Sequence, residues 1–298
     1  CDEVNLYPQS VFNQLMARLS VEGAQCFCNC NPDSPYHWFY TDYIMNDEIT
    51  DKKVWKFLME DNLSLSQSYI ESLKQMYRGV WYERMILGNW VAAEGRIYDM
   101  FEPSKHMLNA EKFIADSKVH LNAIRWLVGC DYGTSTVMSW GLYAKLPDFR
   151  HTGTPVLVKV REFYYDAAKR KVQKTDAEFI EDFKKWLNGL TPWAVYCDPS
   201  AASWKVALMR AGYRVLNANN DVINGIRYVA TCISTGSFVM DKSCVNTEKE
   251  YASYVWDSNA QRLGVDKPLK EHDHTCDTDR YVLYTDSLGG MSGVYAVT

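Results

Sequence analysis

The sequence predicts a mixed α/β protein built from two units, on three observations. Two apolar runs, Trp126-Leu127-Val128-Gly129-Cys130 and Trp193-Ala194-Val195-Tyr196-Cys197, have the length and composition of buried strands, and each closes on an acid, Asp131 or Asp198. Around them hairpin strands come first, then helix, strand and helix, an order that describes a mixed sheet with a crossover. Upstream, a connector punctuated by Gly88, Gly95 and Pro103 divides this unit from an earlier set of elements.

The elements follow in order. Val11, Phe12, Leu15, Met16 and Leu19 give residues 8–19 the spacing of a short amphipathic helix. Residues 24–30 read as a strand broken by Asn31-Pro32-Asp33-Ser34-Pro35, residues 36–44 as a helix and 55–59 as a short strand. Residues 66–76 form a helix capped by Ser66, and 80–117 a helix and connector. The second unit opens near Lys118, with strands at 123–131, 136–144 and 156–165. A helix at 176–188 presents Phe179, Ile180, Phe183 and Leu187 on one face. After it come a strand at 194–198, a helix at 200–211, a strand at 214–217 and helices at 224–235, 247–256 and 273–284.

The 298 residues are 47% hydrophobic, enough for one large core or two moderate ones. No run approaches the roughly 20 apolar residues of a membrane span, so no membrane partner is expected. Cys1-Asp2-Glu3-Val4-Asn5 has neither a basic leader nor an apolar signal region, and without an initiating Met the chain is expected to begin partway into a longer protein. The net charge of −5 argues mildly against a general nucleic-acid coat, but not against an enzyme that touches DNA through a local patch. Lys159, Arg161, Lys169, Arg170, Lys171 and Lys174, interleaved with Phe163, Tyr164 and Tyr165, are the densest such patch. A solvated hairpin and a phosphate-contacting one fit it equally. Of the nine cysteines, Cys26, Cys28 and Cys30 alternate along one strand face. No C-x-x-C-type pair occurs, so buried reduced thiols of a cytosolic protein fit better than zinc.

The chemistry is expected from acids. A carboxylate at the end of a buried strand is held rigidly while its head emerges at the sheet edge, which suits hard divalent cations. Asp131 and Asp198 have that placement, at the strand ends where ligands gather in open α/β sheets. Each also fits a plainer role, Asp131 opening a β-turn and Asp198 a turn that leads to a helix capped by Ser200. A third cluster, His272-Asp273-His274-Thr275-Cys276-Asp277, favours metal. His274 and Asp277 lie at i, i+3 and Asp273 and Asp277 at i, i+4 on one helical face, where two carboxylates repel unless a cation lies between them. A helix N-terminus gathering acids to complement its dipole accounts for Asp273 but less well for Asp277. Asp279 lies about 200° around that helix from Asp277, at ~100° per residue, and is expected to face solvent.

At the start of the chain, Asp2-Glu3 precedes a helix and an alternating strand that ends in Asn31-Pro32. Adjacent acids at the end of a nucleotide-site strand would hold Mg²⁺ and orient the water that attacks a γ-phosphate. The phosphate loop G-x-x-x-x-G-K-[ST] is absent from these residues.

Together these segments resemble the large terminase subunit of tailed bacteriophages, a DNA-packaging motor with an ATPase and a nuclease. The resemblance rests on Asp2-Glu3, on Cys28-Asn29-Cys30-Asn31-Pro32, on Arg84-Met85-Ile86-Leu87-Gly88-Asn89-Trp90-Val91 and on Gly95-Arg96-Ile97-Tyr98. It continues through Gly129-Cys130-Asp131-Tyr132-Gly133, Val195-Tyr196-Cys197-Asp198 and Asp273-His274-Thr275-Cys276-Asp277-Thr278-Asp279-Arg280-Tyr281, in an order that spans nearly the whole chain. The fold it implies is the rear part of a P-loop ATPase domain at 1–90, a linker at 91–118 and an RNase H-like mixed-sheet nuclease domain at 119–298.

The resemblance also implies roles. Asp131, Asp198 and Asp277 would hold two Mg²⁺ or Mn²⁺ ions with His274 assisting, Asp277 being the ligand as the acid three residues after the His. Glu3 would be catalytic in the ATPase, and Asp2 and Asn31 would face ATP, which only the full-length protein would bind, because the phosphate loop would lie upstream of Cys1. Cys30 stands where the family commonly has a hydroxyl residue, and Asp279 where it is usually apolar. The implied partners are double-stranded DNA, a portal protein, a small terminase subunit and further copies of the chain on the procapsid, in the cytoplasm of an infected bacterium. A junction resolvase or transposase of the RNase H-like class is the first alternative, and residues 1–90 argue against it. A catalytically silent DNA- or portal-docking module is the second.

Overall fold

The computed structural model of the protein describes residues 1–289. The chain divides into two compact units, Cys1–Ile97 with Val255–Leu269, and Tyr98–Tyr254 with the residues from Lys270 onward. No described helix is long and apolar enough to cross a membrane.

In the first unit, helices α1 (Gln9–Met16), α2 (Gln67–Met76) and α3 (Gly79–Met85) form where the apolar spacing predicts them, and Ser66 caps α2 by accepting from Tyr69 N at 3.3 Å. The expected helix at 36–44 narrows to a π-helical turn, Tyr40–Ile44. The expected strands at 24–30 and 55–59 do not enter a sheet ladder. Residues 27–29 bond to the first residues of the chain: Cys1 N donates to Phe27 O, Asn29 N to Cys1 O and Val4 N to Asn29 O. Met59 opens a 3-10 turn, Met59–Asp61. Arg84, almost fully buried, ties the unit together by pairing with Asp33 and Asp266 and donating to the Val91 carbonyl.

The second unit is built on a seven-stranded mixed sheet in the order β1-β7-β4-β3-β2-β5-β6. A short helix α4 (Pro103–His106) leads to β1 (Met107–Leu108) and α5 (Ala110–Asp116). The long hairpin strands β2 (Arg125–Asp131), β3 (Val137–Leu146) and β4 (Val156–Asp166) are antiparallel neighbours. Past the turn of helix α6 (Ala167–Arg170), α7 (Asp176–Leu187) starts in a reciprocal cap between Thr175 and Glu178 and crosses to β5 (Ala194–Cys197), parallel to β2. Helix α8 (Ala202–Arg210) leads to β6 (Val215–Asn217), and α9 (Val222–Ser234) to β7 (Phe238–Asp241). Helix α10 (Val245–Ser253) ends three residues before the expected limit. Helix α11 (Ser258–Arg262) belongs to the first unit, and α12 (His274–Ser287) returns to the second.

One face of the sheet is filled by an apolar core of Val128, Cys130, Trp140, Val195 and Cys197 against Phe179, Phe183, Trp204 and Leu208 of α7 and α8. On the other face α12 packs against α9, β2 and β3. It comes close because Gly129 has no side chain: a Cβ there would stand 2.6 Å from the Thr278 carbonyl and 2.8 Å from Val282. Lys159, expected in an exposed basic patch, is fully buried. Its ammonium bonds to Thr247 Oγ1 and Asp279 Oδ1, both at 2.7 Å.

Candidate metal centre

The parallel register between β2 and β5 brings the first two acids together. Cys130 pairs with Cys197, so Asp131 and Asp198 follow at the same level of adjacent strands, about 4.8 Å apart in strand spacing. Both cysteines point into the α7/α8 core. By alternation, the residues after them point to the opposite face, toward α12. That face is where Gly129, two residues before Asp131, meets α12.

Three positions on α12 complete the geometry. His274 Nδ1 lies 2.7 Å from Asp131 Oδ2, and the Tyr281 hydroxyl donates to Asp198 Oδ2 at 2.7 Å. Asp277 falls between them on one stripe at i, i+3 and i+7, so the helix presents its acid between its two contacts with the strand-end acids. Among the described residues, Asp131, Asp198 and Asp277 do not bring one oxygen each within 4.8 Å of all the others; the group with that closeness is Cys1, Cys26 and Cys28.

The charges explain the arrangement of side chains. Burial pushes the Asp131 carboxyl up from its usual value. The His274 hydrogen bond opposes the shift, and the nearby Asp277 and Asp273 charges add to it. Burial alone would pull the His274 imidazole down, but the hydrogen bond and charge of Asp131 outweigh it and hold it above its usual value. Asp198 is shifted the other way: burial would raise it, yet Ser200 and Tyr281 donate to its charged form and lower it. Asp198 therefore also performs the plain turn role, with Ser200 N at 2.6 Å from Oδ1, while its second oxygen serves Tyr281. Ser200 bonds back to Asp198, and α8 begins only at Ala202.

The repulsion expected between Asp273 and Asp277 is relieved by protein cations. Lys270 Nζ lies 2.9 Å from Asp273 and 3.2 Å from Asp277, and Arg280 donates to Asp277 Oδ1 at 2.8 Å. Arg280 is nearly fully buried and also reaches Asn220. The capping carboxylate of α12 is not Asp273 but Glu250 of α10, which accepts from Thr275 N and Thr275 Oγ1, both at 2.6 Å. Lys270, Tyr281, Arg280 and Glu250 were not singled out from sequence. Tyr281 alone carried a signal, its i+7 spacing from His274.

Asp279 does not face solvent. It is fully buried and takes Lys159 Nζ at 2.7 Å, the Tyr251 hydroxyl at 2.7 Å and the Tyr143 hydroxyl. The angle around α12 is as computed from sequence, but that side of the helix meets β3, β4 and α10.

At the start of the chain, Asn31 Nδ2 donates to Glu3 Oε1 at 3.1 Å and Glu3 N to Asn29 Oδ1 at 2.9 Å. Glu3 takes a left-handed backbone conformation, φ 50, which costs a non-glycine residue roughly 1–2 kcal/mol. Asp2 is exposed and lines a surface depression with Cys1, Phe27, Cys28 and Asn29.

Comparison with known proteins identifies the family. A family model described as "Terminase large subunit, T4likevirus-type, N-terminal" matches residues 1–104. The large terminase of a thermophilic bacteriophage, in its crystal form 2, is 42% identical, with a TM-score of 0.85 over 95% of this chain and 67% of that one. The same thermophilic-phage protein in complex with ADP matches at 42% identity and a TM-score of 0.85, over 95% and 68%. The P22 large terminase nuclease domain, 15% identical with a TM-score of 0.50 over 67% of this chain and 95% of that one, shares the fold. No curated protein matches the sequence. A 42% identical phage large terminase aligned over nearly the whole chain settles the family: the chain belongs to the bacteriophage large terminases.

Proposed function

We propose that this chain cuts concatemeric viral double-stranded DNA as a metal-dependent endonuclease, and that in the full-length protein the cutting is coupled to ATP-driven packaging into the capsid. The observation that carries the reading is the meeting of two strand-end carboxylates with one stripe of α12, His274 to Asp131 and Tyr281 to Asp198, with Asp277 between. The donor set fits hard cations. It is rich in oxygen, and Asp131, Asp198, Asp273 and Asp277 outnumber the Lys270 and Arg280 charges beside them.

Asp131, Asp198 and Asp277 would hold Mg²⁺ or Mn²⁺, with His274 assisting. Two such ions stabilise the attacking and leaving oxygens of a phosphodiester in an in-line displacement. Tyr281 orients Asp198, Asp131 fixes the His274 ring through Nδ1, and Arg280 keeps Asp277 directed along the stripe. Lys270, half exposed, bridges Asp273 and Asp277 and would be the cation that a metal ion replaces at Asp277.

Residues 1–90 are assigned to the rear of the ATPase domain, 91–118 to the linker and 119–298 to the RNase H-like nuclease. Residues 255–269 lie within the last range but pack in the first compact unit, and 290–298 lie outside the described residues. In the ATPase, Asp2 and Glu3 would serve Mg²⁺ and the attacking water and Asn31 would face ATP; the hydrogen bond from Asn31 to Glu3 supports placing them in one site. The 42% identical large terminase has been seen with ADP and with ATP-γ-S. The partners would be double-stranded DNA, the portal protein, the small terminase subunit and further copies of the chain on the procapsid, in the cytoplasm of the infected host.

The test is plasmid cleavage by the purified chain. Mn²⁺ without ATP should suffice to cut, Asp131→Asn should abolish cutting, and the chain should hydrolyse no ATP. Cutting that persists in Asp131→Asn would overturn the assignment, as would no cutting with either Mg²⁺ or Mn²⁺.

A further inference from the structure

The first unit holds a second cluster of metal-ligating groups that the nuclease reading does not use. Cys1, Cys26 and Cys28 bring their three sulfurs within 4.8 Å of one another, and Cys26 Sγ stands 3.6 Å from Cys28 Sγ. The closeness has a backbone cause. Cys26 and Cys28 alternate onto one side of an extended segment, and that segment is bonded to the start of the chain by Cys1 N to Phe27 O at 2.7 Å and Asn29 N to Cys1 O at 3.0 Å. Spacing along the sequence does not show this closeness, because the third sulfur comes from 25 residues away.

We propose that Cys1, Cys26 and Cys28 form a binding site for one soft, thiophilic cation, Zn²⁺, held by three sulfurs. Zn–S bonds of about 2.3 Å in a tetrahedral arrangement set neighbouring sulfurs roughly 3.8 Å apart, close to the Cys26 to Cys28 separation. Three sulfurs select a soft metal over Mg²⁺ or Mn²⁺, so this site and the acid cluster differ in the ion they take. All nine cysteines are free thiols, so none of the three is committed to a disulfide. A bound ion would cross-link the segment carrying Asp2 and Glu3 to the segment leading to Asn31.

Titration of the reduced, metal-stripped chain with Zn²⁺ alone tests this, with Co²⁺ as a spectroscopic probe. The expected result is one tight Zn²⁺ per chain and, with Co²⁺, a sulfur-to-metal charge-transfer band that Zn²⁺ displaces. Cys28→Ser, at an exposed position, should weaken binding by more than about 100-fold, beyond the roughly 10–100-fold typical of an outer-shell partner. Cys1→Ser should do the same, while Asp131→Asn should leave the Zn²⁺ titration unchanged. Circular dichroism of each variant separates ligand loss from unfolding. No Zn²⁺ binding, no sulfur charge-transfer band, or equal affinity in Cys28→Ser would overturn the proposal. So would a Zn²⁺ signal that disappears in Asp131→Asn.

Discussion

Asp277 and Asp279 leave α12 two residues apart, one on the stripe that meets the ends of β2 and β5, the other against β3, β4 and α10. The second is sealed: its carboxylate receives a full positive charge from Lys159 and two tyrosine hydroxyls, and neither ion touches water. The first is also buried, but its partners differ: it bonds to Arg280, it shares a half-exposed Lys270 with Asp273, and its charge reaches Asp131. A buried acid matched charge for charge holds the fold together. Acids that exceed the cations beside them leave negative charge available to a ligand. On one helix, charge balance separates the structural acid from the candidate functional one.

The largest effect tests the sealed pair. Asp279→Asn leaves the Lys159 ammonium buried beside a neutral group, and urea unfolding should show a loss of about 3–5 kcal/mol. The double variant Lys159→Met with Asp279→Leu should recover only part of that loss: the apolar pair needs no charge partner, but the Tyr143 and Tyr251 hydroxyls lose their acceptor. Cleavage per folded molecule should hardly change in either. A loss under about 1 kcal/mol, within the range of an exposed pair, would contradict the sealed description.

Asp277→Asn should reverse the pattern. Cleavage is expected to fall roughly 10²–10³-fold or more, the scale for losing one group that stabilises developing charge. Stability should drop by about 1–3 kcal/mol, less than for Asp279→Asn, because Asn keeps an acceptor for Arg280 and Asn220 remains beside it. Equal cleavage by the two variants would erase the contrast.

Gly129→Ala probes the contact that brings the two regions to one helix. Its new Cβ meets the Thr278 backbone, so α12 must shift, at a cost of about 1–3 kcal/mol for overpacking. Because the shift carries Asp277 away from Asp131, plasmid cleavage per folded molecule should fall as well. Loss of stability with full specific activity would show that the acids tolerate movement of α12.

The smallest effect comes from an acid in neither region. Burial would raise Asp241, but donation from Ala110 N at 2.8 Å and from Ser243 N outweighs it and lowers it. A depressed carboxylate stabilises the fold above its unfolded value, about 3.9, and loses that contribution as pH falls through the lower folded value. Melting temperatures of Asp241→Asn should therefore lie slightly below the parent at neutral pH and converge with it in acid. An unchanged gap at low pH would assign the effect to packing.

Much of the second unit was legible because its signals are local. The runs ending in Asp131 and Asp198 are strands within two residues of expectation, and Phe179, Ile180, Phe183 and Leu187 of α7 are buried as their spacing predicts. Strand β7 was missed because Phe238-Val239-Met240 is too short to show a period, and its pairing with β1 and β4 is non-local. The expected strands of the first unit join no sheet among the described residues: residues 27–29 pair with the first residues of the chain, and Met59 opens a 3-10 turn.

By itself the sequence determined which acids end strands, which face of α12 carries His274 and Asp277, and the family, since these follow from period, order and residue type along the chain. Only the tertiary structure decided what each charge meets: Lys159 with Asp279, Lys270 between Asp273 and Asp277, Glu250 at the start of α12, Cys1 beside Cys26 and Cys28. A helical angle fixes a direction but not what stands there, and buried charges are neutralised by partners that packing delivers from 3 to 182 residues away.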